Sequence, residues 1–253
     1  WNWRQVRAAL AAADPLEHQT GDMDDAALMA ALGHPGQHPE GRFLPETYAY
    51  QRGDSDLAIL RRAHAAMAQA LDEAWQGRAD DVPLATPDEA LVLASIVEKE
   101  TGQAHERPQI AGVFARRLRK GMLLQTDPTV IYGLGSGYDG NIRKRDLTTD
   151  TPYNTYTRVG LPPTPIAMPG RAALQAAVNP APGDALFFVS RNDGSHVFSA
   201  TYAEHNRAVD CYQRRRGCPP GQQALPAQAA ASPAGQDPGQ DPAQGPAQDP
   251  GPR

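Results

Sequence analysis

Read for its alternation of apolar and polar positions, the chain opens with helices and closes with short strands. Apolar residues recur at helical spacing over residues 3–12 and 24–32, and residues 33–39 read as a loop. Residues 41–48 are short and extended in character. The clearest stripe is Leu57, Leu60, Met67, Leu71 and Trp75, with Asp54 as the expected cap and Gly77 as the stop. Thr86, Pro87 and Glu89 then read as a capping box with proline at the first helical position. The run that follows, 90–97, is apolar on every side and predicts a buried helix. A third long helix over about 106–120 buries Ile110, Val113, Phe114 and Leu118, directs Arg116, Arg117 and Arg119 elsewhere, and ends at Gly121.

Beyond Gly121 the texture changes to turns and short elements. Asp127 and Pro128 start a short helix through Tyr132 that stops at Gly133, and Pro162, Pro163, Pro165 and Pro169 make a rigid loop. Residues 186–190 and 196–199 flank Asn192-Asp193-Gly194, the pattern of a β-hairpin. Thr201 and Glu204 form a capping box for a last helix through about Arg216. Helices first and strands later predict an α+β fold, with a helix-rich N-terminal part packed on a mixed region that ends in the hairpin and terminal helix. No internal repeat is visible.

The chain has 253 residues, enough for one large domain or two smaller ones. Its net charge of −5 excludes the basic footprint of a nucleic-acid binder. Hydrophobic residues make up 40%, a low share whose deficit is concentrated at the C-terminal end. From Cys218 onward the chain is almost wholly Pro, Ala, Gly, Gln and Asp, in near-repeats such as Gln236-Asp237-Pro238-Gly239. Such a stretch cannot bury enough apolar surface to offset its ordering entropy and is expected to be disordered. Cys211 and Cys218 flank the end of the last helix, which leaves a disulfide or two thiols open. No stretch approaches the length of a transmembrane helix and no signal peptide is visible. The start at Trp1 reads as a fragment lacking an upstream anchor or export signal.

Glu98 closes the apolar run and sits over Leu91, Ala94 and Ser95 at helical spacing. Burial disfavours the charged form, so its pKa is expected to rise, as a general acid at neutral pH requires. A helix-end Glu paired to Lys or Arg fits the same spacing. Two helical steps turn roughly 200°, so Glu100 is expected on an opposite, solvated face. The segment 124–129 is dense in polar side chains that must find partners in protein, water or ligand. Asp127 doubles there as a helix cap, whereas Gln125 and Thr126 have no comparable structural use. Tyr153-Asn154-Thr155-Tyr156 interleaves phenols with polar groups, which suits a sugar ring; a strand with buried tyrosines fits equally. His196 and His205 read as hydrogen-bonding groups. A metal site needs three or four ligands, so Asp127, His196 and His205 would have to be gathered by folding, and no HExxH or CxxC pattern exists. No metal or cofactor is expected. Ser95 and Ser195 lack the setting of a serine nucleophile, and no phosphate loop appears.

Several segments in order resemble the catalytic domain of the endolytic murein transglycosylases, the YceG-like family. They are Glu40-Gly41 with Pro45-Glu46-Thr47-Tyr48, the stretch 94–101, the stretch 124–133, Tyr153-Asn154-Thr155-Tyr156, Gly160-Leu161-Pro162-Pro163 and residues 194–206. The resemblance spans about residues 40–210. It divides the chain into a helical lead-in (1–39), a catalytic domain (40–216) and a tail (217–253). Thr164 and Met168 depart from the family's proline loop, where glycine and asparagine are expected.

The resemblance implies cleavage of the β-1,4 bond between N-acetylmuramic acid and N-acetylglucosamine within a peptidoglycan strand, leaving a 1,6-anhydro end. It maps the catalytic acid onto Glu98, with Gln125, Thr126, Asp127, Tyr132, Asn154, Tyr156 and His196 as substrate-binding candidates. A lone Glu fits a lyase, since hydrolases ordinarily use two carboxylates. It further implies peptidoglycan strands as partner, the synthases (penicillin-binding proteins) as candidate protein partners, and a single-pass inner-membrane anchor outside this chain with the domain in the periplasm. A non-catalytic glycan-binding scaffold and a metal-dependent cell-wall hydrolase are the competing functions.

Overall fold

Helix α4 (Pro87–Glu100) is the spine of the computed structural model, which describes residues 1–218. The Thr86 hydroxyl accepts the Glu89 N–H at 3.2 Å, and Pro87 occupies a position where no donor is needed. The Glu89 carboxylate reaches the N–H of Ala85 rather than that of Thr86, so half of the expected capping box forms. Every residue from Ala90 to Val97 is buried. Ala90, Leu91, Leu93, Ala94, Ile96 and Val97 share one core with Met67 and Leu71 of α3 (Asp56–Gln76), Ile110 and Phe114 of α5 (Arg107–Arg119) and Leu174 of α8 (Arg171–Val178). Each fully buried Leu or Ile there contributes about 1.5–3 kcal/mol. Ser95, buried among them, donates to the Val92 carbonyl and accepts the Ile166 N–H, which fastens the proline loop to α4.

Helix α3 is capped by Ser55, whose hydroxyl accepts from Ala58, while the Asp54 carboxylate accepts the Gln51 N–H instead. Gly77 ends it as expected. A second core lies where α1 (Trp3–Ala11) and α2 (Asp25–Ala31) meet Phe43, Leu60 and Met168. Trp3 stacks on Phe43 at 4.9 Å, and its backbone N–H donates to both oxygens of the buried Glu40. Gly41 has φ +81°, and a Cβ there would lie 2.6 Å from the Pro165 ring. Only glycine satisfies both conditions.

Helix α6 (Asp127–Leu134) runs through Gly133, the expected stop, and ends at Gly135 with φ +54°. Gly133 serves close packing instead: a Cβ there would lie 3.0 Å from the Tyr153 Cβ. The apolar pattern does not announce α7 (Lys144–Thr148) or α8. Helix α8 is Ala-rich and opens at Gly170 without a side-chain cap. Strands β1 (Phe187–Ser190) and β2 (His196–Ser199) pair antiparallel, Phe187 with Ser199 and Ser190 with His196. Helix α9 (Tyr202–Tyr212) carries the full Thr201–Glu204 capping box but ends short of Arg216. Cys211 and Cys218 are joined by a disulfide, and Ala208, Cys211 and Tyr212 pack on Val189 and Val197. The architecture is α+β. Among the described residues no helix is long and apolar enough to cross a membrane. The tail expected to be disordered lies outside them from residue 219 onward.

Candidate active site

The last turn of α4 sends its two glutamates to different places. Glu98 leaves the apolar face and accepts the N–H of Gly170, the N-cap of α8, at 3.2 Å. A helix N-terminus presents free N–H groups and a positive dipole end, which explains a carboxylate there as a docking contact between two core helices. This corrects the expectation of an acid immersed over Leu91, Ala94 and Ser95.

Glu100, expected in solvent, is the acid in the cleft. It borders a cavity of about 310 Å³ whose walls include Arg117, Gln125, Asp127, Tyr156, His205, Phe187 and Phe188. Burial pushes its carboxyl up to about 7; the hydrogen bond from Thr126 Oγ1 to its Oε1 pulls the other way, and the nearby Asp127 charge pushes it up again. Roughly 200° between the glutamates was the right angle. The face assumed to meet water meets the 124–127 segment.

That segment is held in an unusual conformation. Gln125 has φ +52°, a left-handed position that disfavours a residue with a Cβ. Thr155 holds it there: its carbonyl accepts from Gln125 N–H at 3.0 Å and its hydroxyl from Thr126 N–H at 3.1 Å, while Thr129 Oγ1 bonds the same hydroxyl at 2.9 Å. Non-glycine residues in such positions cluster at functional sites. Asp127 is not the cap of α6; Thr126 occupies that position, without a side-chain cap bond. The Asp127 carboxylate instead accepts from the Tyr156 hydroxyl. Burial raises the Tyr156 pKa, and the bond to Asp127 raises it further, so the phenol stays a neutral donor.

Arg117 also departs from expectation. Its side chain is buried, with Nε on the Leu186 carbonyl at 2.7 Å and Nη1 on the carbonyls of Leu123 and Leu124 and on Gln125 Oε1. The guanidinium lies 5.1 Å from the centre of the Phe187 ring, on which His205 also stacks. Burial, then the Arg117 charge, hold the His205 pKa below its ordinary value, so this imidazole is neutral at pH 7. Its Nδ1 is buried without a partner.

Of the other expected binding residues, three are engaged elsewhere. The Asn154 amide donates to the carbonyls of Asp146, Leu147 and Thr149 and accepts from Tyr156 N–H, so it shapes the loop rather than the cleft. Tyr132 faces the buried Glu40 and packs on Tyr153 at 4.9 Å. His196 Nδ1 is 2.7 Å from Glu106 Oε2, and its backbone N–H donates to the other oxygen. Burial alone would raise the Glu106 pKa, but the His196 bonds hold it below the usual range. Gln125, Thr126, Asp127 and Tyr156 do converge on Glu100. Among the described residues no three His, Cys, Asp or Glu side chains gather in a metal-holding group. A second cavity, of about 320 Å³ between α1, residues 43–50 and α3, has mostly apolar walls, and the carboxylate on it, Glu46, is paired with Arg171.

Glu100 and Arg117 were both within reach of helical periodicity. Glu100 follows Leu93, Ile96 and Val97 at seven, four and three residues, and Arg117 stands in the same relation to Ile110, Val113 and Phe114.

A buried helix that ends in a carboxyl raised by burial, faced by a strained polar turn and a hairpin with aromatic walls, is the framework of a carbohydrate-sized acid–base cleft. The chain belongs to the YceG-like family, whose model matches residues 1–211. It is 37% identical over 177 residues to the endolytic murein transglycosylase of Bacillus subtilis, covering 70% of this chain and 49% of that protein. It is 31% identical over 176 residues to the endolytic murein transglycosylase of Streptococcus pneumoniae, covering 67% of this chain and 31% of that protein. The chain thus spans half or less of the length of these curated relatives. A crystal structure of a yceG-like protein from Listeria monocytogenes matches with a TM-score of 0.59 at 32% identity, over 81% of this chain and 64% of that one.

Proposed function

We propose that this chain is the catalytic part of an endolytic peptidoglycan lytic transglycosylase and that Glu100, rather than Glu98, is its acid and base. The observation that carries the reading is Glu100, a carboxyl pushed up to about 7 by burial, in a cleft lined by polar donors and aromatic rings. The bond cut is the β-1,4 link from N-acetylmuramic acid to N-acetylglucosamine. Protonated Glu100 gives its proton to the glycosidic oxygen as the bond to the muramyl anomeric carbon breaks. The resulting carboxylate takes the proton of the muramyl 6-hydroxyl, whose oxygen closes on the same carbon to form the 1,6-anhydro ring. One proton leaves and one returns, and no water is consumed. A carboxyl near pH 7 is matched to both halves, and such acid–base help is worth about 10²–10⁴ in rate. Thr126 fixes the carboxyl, Gln125 and Tyr156 orient the sugar, and Phe187 and Phe188 offer faces to its apolar side.

One observation favours a second reading. Asp127 is another carboxylate on the same cavity, and a pair of carboxylates with water between them is the apparatus of a hydrolase. The bond it accepts from Tyr156 argues against a free base. Digestion of purified peptidoglycan decides: anhydromuramyl ends in the products support the lyase, and reducing muramyl ends support hydrolysis. The Cys211–Cys218 disulfide supports an oxidising compartment outside the cytoplasm. Attachment to the inner membrane through a segment outside this chain, and action beside the peptidoglycan synthases on strands still being made, complete the reading. Periplasmic labelling of the intact protein in cells tests the placement.

A further inference from the structure

Arg117 carries a positive charge that the fold does not neutralise. Its side chain is more than nine-tenths buried, its relative exposure being 7%. Nε and Nη1 are taken up by three backbone carbonyls and the neutral Gln125 amide. Nη2 has no protein partner among the described residues, and the guanidinium borders the cavity that holds Glu100. Burial lowers its pKa, and the compensating influence comes from the Tyr156 phenol rather than from a carboxylate. A buried cation without a counter-charge is expensive to keep, so an anion arriving at Nη2 regains what folding left unmet. The neighbouring His205 lines the same cavity and is held neutral, so it supplies no competing positive charge there.

We infer that Arg117, through its free Nη2, binds a carboxylate carried on the 3-O-lactyl side chain of the muramyl unit in the cleft. The inference rests on the proposed reading of the site as a peptidoglycan cleft and adds a charge preference within it. A cavity of about 310 Å³ confines the anion to the neighbourhood of the sugar being cut. Two sources fit that chemistry: the free lactyl acid of a strand stripped of its peptides, and a carboxylate of an attached stem peptide. Phe187 fixes the geometry, since its ring supports both the guanidinium and His205.

The test is binding of short glycan strands to the Glu100→Gln protein, whose slowed turnover leaves them intact during the measurement. Four ligands are compared at low salt: peptide-free strands with the lactyl acid free or converted to its methylamide, and stem-bearing strands with the stem carboxylates free or amidated. Charge-assisted hydrogen bonds support a preference of at least tenfold for the charged member of one pair, and the pair that shows it identifies the source. Equal affinity within both pairs overturns the inference. Arg117→Gln in the same background is expected to abolish the preference, and a preference that persists there overturns the assignment to Arg117. If that variant does not fold, the four-ligand comparison still decides. Cleavage by the unaltered protein is measured separately. Loss of the charge preference with cleavage intact removes only this inference, whereas no cleavage of any strand removes the reading of the site itself.

Discussion

Replacing Glu100 by glutamine should stabilise the protein above neutral pH while slowing turnover steeply. The ordinary carboxyl value is 4.5 and the folded value about 7, so the unfolded chain releases this proton first as pH rises. Between those values the folded state holds the extra proton. The stability linked to Glu100 is therefore fully present below about pH 4.5 and is lost as pH rises through about 7. At about 1.4 kcal/mol per pH unit, the ionised form costs the fold about 3 kcal/mol at pH 8.5. Glutamine has the same shape, keeps an oxygen for the Thr126 hydroxyl and never ionises. For a domain of this size about 3 kcal/mol corresponds to a rise of roughly 6–12 °C in thermal midpoint. Paired melts at pH 5 and pH 8.5 read the effect: near-coincidence at the lower pH, and the variant melting higher at the upper. Its turnover should fall by about 10²–10⁴. Parallel stability profiles for the two proteins across this range would refute the burial argument.

Other perturbations separate the roles of neighbouring residues. Glu98→Gln should retain most of the turnover and lower stability by about 0.3–1 kcal/mol, the worth of an anion at a helix N-terminus, read by denaturant titration. Thr126→Val removes the donor that favours ionised Glu100, so the alkaline limb of the pH–rate profile should move upward from about 7 while the maximal rate falls. Asn154→Ala removes the amide that bonds the part-buried carbonyls of Asp146, Leu147 and Thr149 and should cost about 1–3 kcal/mol, with binding affected only through the displaced Tyr156 loop. Gly41→Ala combines a φ of +81° with a 2.6 Å approach to Pro165 and should lower the thermal midpoint by several degrees or more.

Much of the fold was legible because it follows from patterns with a single physical solution. An all-round apolar run must be buried, which located α4; Thr86-Pro87 and Thr201–Glu204 fixed helix starts to within a residue. The Asn192-Asp193-Gly194 turn placed the hairpin. Helix α8 was illegible because it is only eight residues long and Gly170 offers no side-chain cap to mark its start. Gly133 misled for a different reason: tight packing against Tyr153 wants glycine as much as a helix stop does. At the site, period alone could not choose between Glu98 and Glu100, since Glu98 stands over Leu91 and Ala94 and Glu100 over Leu93, Ile96 and Val97. What separates them is tertiary: α8 brings an N-terminus to one, and the 124–127 turn brings a cleft to the other. Asn154 and His196 show the reverse error, polar residues with good sugar-binding chemistry whose partners turn out to be backbone carbonyls and Glu106.

The most direct measurement is mass spectrometry of the muramyl ends released from purified peptidoglycan by the unaltered protein, by Glu100→Gln and by Glu98→Gln. Anhydromuramyl ends from the first and third, with release by the second lowered by about 10²–10⁴, are the predicted result. Reducing ends, or undiminished release by Glu100→Gln, would contradict it.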